Sequence, residues 1–244
     1  MTYVIVGGSS GVGRALARRF AAAGHDLVIV SSDRRDVEAT AADLSIRYVR
    51  RIVPLAADIA DVEGYLAALT GAVETLGGVD GLLLPVGAVL DGDDGSLNAS
   101  EAEWLTRVNY SSVAATAGAL LPMLKTRPHA SIVGFGSIAA ARGRGRNIVY
   151  SASKRALASF FESLRHQCAS STVTVQFYVL GYIDTTLAFG QRTVLPRADP
   201  NALGDCVLRD IGRDVGVVYY PKVWRPVCAV LRVLPWPLFK RLSF

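Results

Sequence analysis

The chain has 244 residues, of which 51% are hydrophobic, and carries a formal net charge of +5. This length and composition allow one α/β domain with a large core and require no second domain. The three cysteines lie far apart without C-x-x-C spacing, which favours neither a metal site nor a disulfide framework and suits a reducing cytoplasm. We expect no secretory signal peptide and no membrane-spanning helix, because no basic leader precedes the first apolar run and no apolar run reaches about 20 residues.

The positive charge is concentrated in the C-terminal part of the chain. Residues 215–244 contain five basic and no acidic residues, which accounts for the whole excess of +5. Because this segment is also rich in Trp, Leu and Val, it is more typical of contact with a membrane surface than with a nucleic acid. We therefore do not expect a nucleic-acid partner.

A glycine-rich stretch follows the first predicted strand. Residues 3–6 are an apolar run, residues 7–13 have the spacing G-x-x-x-G-x-G, and helical periodicity begins at residue 14. A strand, a glycine turn and a helix in this order let the backbone approach a pyrophosphate, which the helix N-terminus attracts through its free N–H groups. No G-x-x-x-x-G-K-[ST] motif occurs, so a nucleotide-hydrolysing P-loop is not indicated. The candidate cofactor-binding residues of this turn are Gly7, Ser10, Gly11 and Gly13.

The end of the second predicted strand bears on the choice of cofactor. Residues 26–30 form this strand, and two serines, an aspartate and an arginine follow it. In a βαβ nucleotide fold this position meets the adenosine ribose, where an acidic residue favours a free 2′-hydroxyl and an arginine accommodates a 2′-phosphate. We therefore predict that NADPH is favoured over NADH, with contacts from Ser31, Ser32 and Arg34.

The next two strands are predicted at residues 51–56 and 81–84, and a helix over residues 37–48 precedes the first of them. The first of these strands ends at Asp58 and Ile59. The carboxylate of Asp58 can accept a hydrogen bond from an adenine amino group or cap the following helix, and the sequence leaves both roles open.

Two polar features follow the fourth strand. The acidic loop 91–95 lacks the glycine and the glutamate that a calcium loop carries at its sixth and twelfth positions, so we interpret it as a solvated turn. Ser100 and Glu103 have the spacing of a capping box, which predicts a helix that contains Asn109 and continues toward Leu121.

A serine, a tyrosine and a lysine form the strongest candidate for a catalytic group. Ser137 follows the buried strand 131–135, and this places its hydroxyl at a strand's carboxyl end, where ligands bind in open α/β sheets. If Asn147 caps the next helix, Tyr150 and Lys154 project from one face of it. A neighbouring ammonium lowers the pKa of a phenol from about 10 toward a useful range, and Lys154 is predicted to do so for Tyr150. Such a pair alone is more often a solvated helix face.

The rest of the chain completes an alternation of strands and helices. Further strands are predicted at residues 172–180 and 215–220, and residues 186–200 are predicted to form a mobile flap. Strands that alternate with helices of 10–15 residues are typical of an α/β fold with a doubly wound parallel sheet.

With the glycine turn, Asp58, Asn109, Ser137 and the Tyr150-x-x-x-Lys154 pair all in order, the chain resembles the short-chain dehydrogenase/reductase family over nearly its full length. The resemblance implies a Rossmann fold and an NAD(P)-dependent oxidoreductase. It makes Tyr150 the general acid in reduction, while Lys154 holds the nicotinamide ribose. Ser137 would bind the substrate carbonyl, and Asn109 would support a proton-relay water.

The same resemblance extends the cofactor site and implies a homodimer or homotetramer. The glycine turn would line the pyrophosphate, and Gly87 would follow the fourth strand close to the cofactor. Ile183 and Thr185 match the residues that meet the nicotinamide amide. The chain departs from the family at Val6, at residues 85–86 and at Leu180, where threonine, Asn-Ala and proline are usual.

A narrower resemblance concerns an arginine loop and the tail. Arg142, Arg144, Arg146 and the basic, apolar tail look like those of the decaprenylphosphoryl-2-keto-ribose reductases and related bacterial reductases. This implies a lipid-linked sugar substrate with an anionic group that the arginines could bind by paired donors. A solvated glycine–arginine loop is the alternative.

These observations divide the chain into a catalytic domain, residues 1–220, and a tail, residues 221–244. The tail could contact a membrane surface or pack across a dimer, so the expected location is cytoplasmic or peripheral on the inner membrane face. Three functions remain open: a reductase of an anionic sugar lipid, a reductase of a hydrophobic ketone or other small molecule, and a protein that binds NADP(H) without turnover.

Overall fold

A parallel β-sheet forms the centre of the molecule in the computed structural model, which describes residues 1–185 and 195–242. Within these residues seven strands pair in the order β3-β2-β1-β4-β5-β6-β7, and every pair is parallel. The strands are β1 (Thr2–Val6), β2 (Asp26–Ser31), β3 (Ile52–Ala56), β4 (Gly81–Leu84), β5 (Ala130–Ser137), β6 (Val173–Leu180) and β7 (Val217–Tyr220).

Helices cover both faces of this sheet. The part of the chain that the structure describes contains nine α-helices: α1 (Gly11–Ala22), α2 (Arg34–Tyr48), α3 (Val62–Thr75), α4 (Ala99–Thr106), α5 (Ser112–Lys125), α6 (Ile148–Cys168), α7 (Pro200–Asp210), α8 (Trp224–Val233) and α9 (Trp236–Phe239). The strand order reverses between β1 and β4. The carboxyl ends of these two strands therefore form the topological switch point at which α/β folds bind ligands.

Successive residues of β1 pack alternately into the cores on the two faces of the sheet. Val4 and Val6 belong to one core cluster, whereas Tyr3 and Ile5 belong to the other, on the opposite face of the sheet. The strand has no exposed residue, as expected for a parallel sheet with helices on both sides. The predicted α/β class and doubly wound parallel sheet are confirmed.

Several predicted helix boundaries differ from the structure. The capping box is formed by Asn98 and Glu101 at the start of α4, so the prediction of Ser100 and Glu103 is wrong. The helix that was expected to run through Asn109 contains a π-helical turn, Arg107–Ser111, between α4 and α5. Helix α2 begins three residues earlier than predicted because Asp33 caps it through the backbone N–H of residue 36.

The predicted flap, residues 186–200, lies in part outside the described residues, since the description resumes at residue 195. Ala198 pairs with the segment after β6: its carbonyl accepts from the N–H of Asp184 (2.9 Å), and its N–H donates to Tyr182 (2.8 Å). Pro200 begins α7.

The tail, residues 221–244, was predicted as a separate segment, and its described part has three buried side chains, Trp224, Cys228 and Phe239, packed against the rest of the chain. The Trp224 ring meets the ring of Tyr182 edge to face, with centroids 5.3 Å apart. The indole also covers Gly181, where an added Cβ would lie 2.0 Å from its nitrogen. Across residues 1–185 and 195–242, no helix combines the length and apolar character that a membrane span needs.

Candidate active site

A cavity of about 260 Å³ lies at the carboxyl edge of the sheet, between the ends of β1, β4, β5 and β6. It brings together residues that lie far apart in the sequence. Nine of the predicted site residues line it: Ser10, Gly11, Gly87, Ser137, Arg144, Tyr150, Lys154, Ile183 and Thr185.

The hydroxyl groups of Tyr150 and Ser137 meet at this cavity. Ser137 is the last residue of β5, and its hydroxyl lies close enough to the phenol of Tyr150 to lower the pKa of that phenol. The Ser137 hydroxyl also accepts from the N–H of Ala139 (3.1 Å), which fixes its orientation. The arrangement places a proton donor beside a second polar hydroxyl, as the protonation of a substrate oxygen requires.

Burial controls the pKa of Tyr150. The side chain is 9% exposed, and its removal from water raises the pKa above the usual value, whereas the hydrogen bond from Ser137 and the positive charge of Arg144 oppose this rise. The expected lowering of this pKa by Lys154 is therefore wrong for the structure described here. A phenol with a raised pKa stays protonated near neutral pH.

Lys154 is held below Tyr150 on the same helix. Its ammonium donates to the carbonyls of Val86 (2.6 Å), just after β4, and Phe135 (3.1 Å), near the end of β5. Its nitrogen lies 5.9 Å from the centre of the Tyr150 ring. The side chain is 2% exposed, and burial lowers the pKa of Lys154 to about 7. The two carbonyl acceptors favour the charged form and fix the side chain across the sheet edge.

A residue that sequence reasoning missed holds the start of α6. Asn147 occupies the N-cap position in a left-handed conformation (φ 53°), and its side chain makes no capping hydrogen bond, so the predicted cap is wrong. The carboxylate of Asp93 takes this role for the N–H groups of Val149 (2.7 Å) and Tyr150 (2.9 Å). Asp93 is buried, which corrects the interpretation of loop 91–95 as a wholly solvated turn.

The glycine turn is too close-packed for larger residues. An added Cβ on Gly13 would lie 2.0 Å from the carbonyl oxygen of Gly7, and one on Gly11 would lie 2.5 Å from the methyl of Thr185. Gly7 itself has φ +87°, and Ser10 caps α1 through the N–H of Gly13 (3.0 Å). These residues leave bare backbone and a helix N-terminus at the cavity, which fits a dinucleotide pyrophosphate.

At the end of β2, serine hydroxyls are available to a cofactor, whereas the nearby carboxylate is engaged in a helix cap. The hydroxyls of Ser31 and Ser9 lie 2.5 Å apart, and Ser9 was not singled out from the sequence. Asp33 is engaged in capping α2. Ser32 is exposed, and Arg34 is exposed in the first turn of α2, with an ion pair to Glu38 at 3.3 Å.

Asp58 and Ile59 follow β3 and do not line the cavity. The Asp58 carboxylate accepts from the N–H of Ala60 (2.9 Å), and Asp61 caps α3, so the capping alternative for Asp58 is wrong. Ile59 packs against the core cluster that contains Val4 and Val6. Contact of the two residues with adenine stays a prediction.

Asn109 is buried in the π-helical turn and serves the neighbouring backbone. Its amide oxygen accepts from the N–H of Ala88 (3.0 Å), and its nitrogen donates to the carbonyls of Ala88 and Leu105 (both 2.9 Å). The side chain thus ties the segment after β4, next to Gly87, to the helix. Its part in a proton-relay water stays a prediction.

The structure separates the three arginines of the glycine–arginine loop. Arg144 lines the cavity, and burial lowers the pKa of its guanidinium. Arg142 faces the tail: it donates to the carbonyls of Leu231 (3.0 Å) and Leu234, and its guanidinium lies 4.0 Å above the Phe239 ring. Arg146 is exposed and does not line the cavity. The predicted substrate-binding role is therefore not supported for Arg142.

Known proteins share this fold and these motifs. The family model described as short chain dehydrogenase matches residues 1–193. A hydroxysteroid 11-beta-dehydrogenase 1-like protein from Xenopus tropicalis is 30% identical over 238 residues, covering 92% of this chain and 80% of the relative. An uncharacterized oxidoreductase from Myxococcus xanthus is 28% identical, covering 98% of this chain and 94% of the relative.

A solved structure agrees with the fold over nearly the whole length. The short-chain dehydrogenase from Sphingobium yanoikuyae in complex with NADPH superimposes with a TM-score of 0.82 at 24% identity, covering 99% of this chain and 96% of that one. The chain belongs to the short-chain dehydrogenase/reductase family of oxidoreductases.

Proposed function

We propose that the chain is an NADPH-dependent reductase that converts a ketone to an alcohol, and that its substrate is a lipid-linked keto sugar such as a polyprenylphosphoryl 2-keto-pentose. The observation that carries the reductase is the meeting of Tyr150, Ser137 and Lys154 at one cavity on the carboxyl edge of the sheet. The finer choice of substrate rests on Arg144 and the tail.

The cofactor would be held by the glycine turn, Gly87, Lys154, Ile183 and Thr185, and when bound it supplies the hydride. The preference for NADPH is supported by Ser31, Ser32 and Arg34 at the end of β2, where Asp33 is engaged in a helix cap. The NADPH complex of the similar Sphingobium enzyme agrees with this choice.

Tyr150 would donate the proton that the reduced substrate oxygen takes up. Because burial keeps its phenol protonated near neutral pH, the side chain is in the form that a reduction needs. The Ser137 hydroxyl would hold the same substrate oxygen, and Lys154 would fix the position of the ribose beside it. Proton transfer to this atom would complete the alcohol group of the product.

Arg144 supports an anionic substrate. Its side chain lines the same cavity as Tyr150 and Tyr182. The partial burial of its guanidinium strengthens the attraction to a negatively charged group. A planar guanidinium can bind a phosphate through paired N–H donors. A phosphate beside the reacting ketone is what a polyprenylphosphoryl 2-keto-pentose would present.

The tail supports contact with an anionic membrane, where a lipid-linked substrate would reside. Its exposed apolar side chains are Val223, Val230, Val233, Trp236, Leu238 and Leu242. Its exposed basic side chains are Lys222, Arg225, Arg232, Lys240 and Arg241. Apolar groups that enter the headgroup region and cations that meet lipid phosphates are the two contributions that hold a protein at such a surface.

A hydrophobic ketone is the second candidate substrate. Apolar side chains surround the catalytic hydroxyls, among them Val86, Val89, Phe135 and Ile138. They would accept an aromatic or aliphatic ketone without help from Arg144. We also propose that the chain assembles as a homodimer or homotetramer, which light scattering of the purified protein would measure.

Oxidation of NADPH and of NADH by the purified protein tests this function, with a polyprenylphosphoryl 2-keto-pentose and, in parallel, a neutral aromatic ketone. We expect faster turnover with NADPH and with the sugar lipid. Arg144→Gln should raise KM for the sugar lipid on the order of tenfold or more, because a charge-assisted bidentate contact is lost, and should leave KM for the neutral ketone within twofold.

Arg146→Gln is the matched control, since it removes an exposed cation from the same loop, and it should change neither KM by more than about twofold. Turnover of the neutral ketone alone would favour the second candidate. Tight cofactor binding with no turnover of either ketone would contradict the proposal that the chain is a ketone reductase.

A further inference from the structure

A buried carboxylate lies in the loop 91–95, between β4 and α4, in which the other residues are exposed. Asp93 is 4% exposed, whereas its neighbours Asp91 and Asp94 are exposed. Burial of a charged side chain is unfavourable unless hydrogen bonds compensate it, so the partners of this carboxylate indicate what it does. These partners all belong to the first turn of α6.

Three successive N–H groups of α6 donate to this one residue. The N–H of Ile148 donates to the backbone carbonyl of Asp93 (3.0 Å), and those of Val149 and Tyr150 donate to its two carboxylate oxygens (2.7 and 2.9 Å). The first N–H groups of a helix have no partner within the helix. A residue more than fifty positions earlier in the chain therefore completes the start of α6.

The residue at the start of the helix does not make this contact itself. Asn147, the residue at the N-cap position, has a left-handed backbone, and its side chain does not cap the helix. The segment before it contains Gly143 and Gly145, for which an added Cβ would meet open space. The position of the first helical turn thus depends on the loop that carries Asp93.

Tyr150 is the third residue of this turn. Its side chain reaches Ser137 at the end of β5, while its own backbone N–H is held by Asp93. We propose that Asp93 is a positioning residue for the reduction: it fixes the backbone of Tyr150 so that the phenol stays in place against Ser137. The inference rests on the proposed role of Tyr150 as proton donor.

Asp93→Ala, Asp93→Asn and the control Asp94→Ala test this role in the full-length protein with NADPH and the ketone that the wild type reduces. Asp94 lies next to Asp93 but accepts from the N–H and the hydroxyl of Ser96 in its own loop. We expect Asp93→Ala to lower kcat on the order of 100-fold per bound NADPH, because a displacement of about 1 Å has this effect on a reacting group. KM and the Kd for NADPH should stay within twofold.

Asp93→Asn keeps one acceptor oxygen and should restore part of kcat, and it remains informative if Asp93→Ala fails to fold. Amide hydrogen exchange of residues 142–152 needs no substrate and should accelerate in Asp93→Ala but not in Asp94→Ala. Unchanged exchange, or a kcat per bound NADPH within threefold of the wild type, would overturn the inference. Tyr150→Phe separates failure of this inference from failure of the proposed function. If Tyr150 is not the proton donor, Tyr150→Phe would retain activity with either aspartate or alanine at residue 93.

Discussion

Burial shifts the pKa of Tyr150 and that of Lys154 in opposite directions. The pKa of the phenol is raised and that of the ammonium is lowered to about 7, each because water is excluded from the site. The sequence predicted the positions of both residues, since a four-residue spacing on a helix is a local property. It predicted the wrong direction for the tyrosine pKa because the burial of the phenol, which outweighs the lowering by nearby groups, depends on the whole fold.

The lowered pKa of Lys154 predicts how stability depends on pH. Between about pH 7 and 10, the unfolded chain holds a proton on Lys154 that the folded protein has released, so the free energy of unfolding should rise with pH. One such group contributes at most about 1.4 kcal/mol per pH unit. Above pH 10 the raised pKa of Tyr150 acts in the opposite sense.

Denaturant unfolding at pH 7, 8 and 9, without added cofactor, measures this effect. Lys154→Met should reduce the slope of the unfolding free energy against pH by about 1 kcal/mol per unit or more. The slope is the informative quantity, since loss of the two hydrogen bonds lowers stability at every pH. Parallel curves for the two proteins would show that Lys154 stays charged throughout this range.

At the scale of elements, the turn between β1 and α1 was predictable because glycines there meet a local requirement. The structure explains why residue 13 is a glycine: an added Cβ would collide with the carbonyl oxygen of Gly7. Because that oxygen belongs to the backbone, it cannot move aside as the end of a flexible side chain can. The start of α6 was not predictable in the same way. Its cap comes from Asp93, a contact between distant segments that no local pattern reveals.

Gly13→Ala tests the close packing of the turn. It should weaken NADPH binding by on the order of tenfold or more and lower the unfolding free energy by about 1–3 kcal/mol, because α1 must move away from the turn. Gly71→Ala is the matched control. Its Cβ meets open space on α3, so it should raise stability by about 0.5–1 kcal/mol and leave NADPH binding unchanged. Equal effects of the two variants would contradict this account.

At the scale of the whole molecule, the parallel sheet follows from the alternation of apolar runs and helical segments, and its predicted class is confirmed. The packing of the tail could not be predicted from its composition. Residue types alone left open whether it covers the domain or faces outward, and the structure shows both: Trp224 and Phe239 pack inward, while Trp236 and Leu238 stay exposed. Arg142 joins the tail to the loop before α6, which sequence reasoning had assigned to substrate.

Vesicle binding tests the outward-facing part of the tail. The protein should sediment with vesicles that contain phosphatidylglycerol, less with phosphatidylcholine alone, and less at high salt. Replacing Trp236 and Leu238 by Ser should weaken binding on the order of tenfold, because two exposed apolar side chains are lost. Ile46→Ser is the control, since Ile46 is 82% exposed on α2. Binding that is equal for all variants, or a tail-dependent dimer without vesicle binding, would contradict the membrane contact.

Tyr150→Phe tests whether Tyr150 donates the proton in a reduction, with Tyr48→Phe on α2, a half-buried tyrosine that does not line the cavity, as control. NADPH binding should be retained, because the phenyl ring keeps the packing of the site, and kcat for ketone reduction should fall by about 100-fold to 10,000-fold. Tyr48→Phe should match the wild type. A Tyr150→Phe protein that binds NADPH and retains kcat within threefold of the wild type would contradict the assignment of this cavity as the site of reduction.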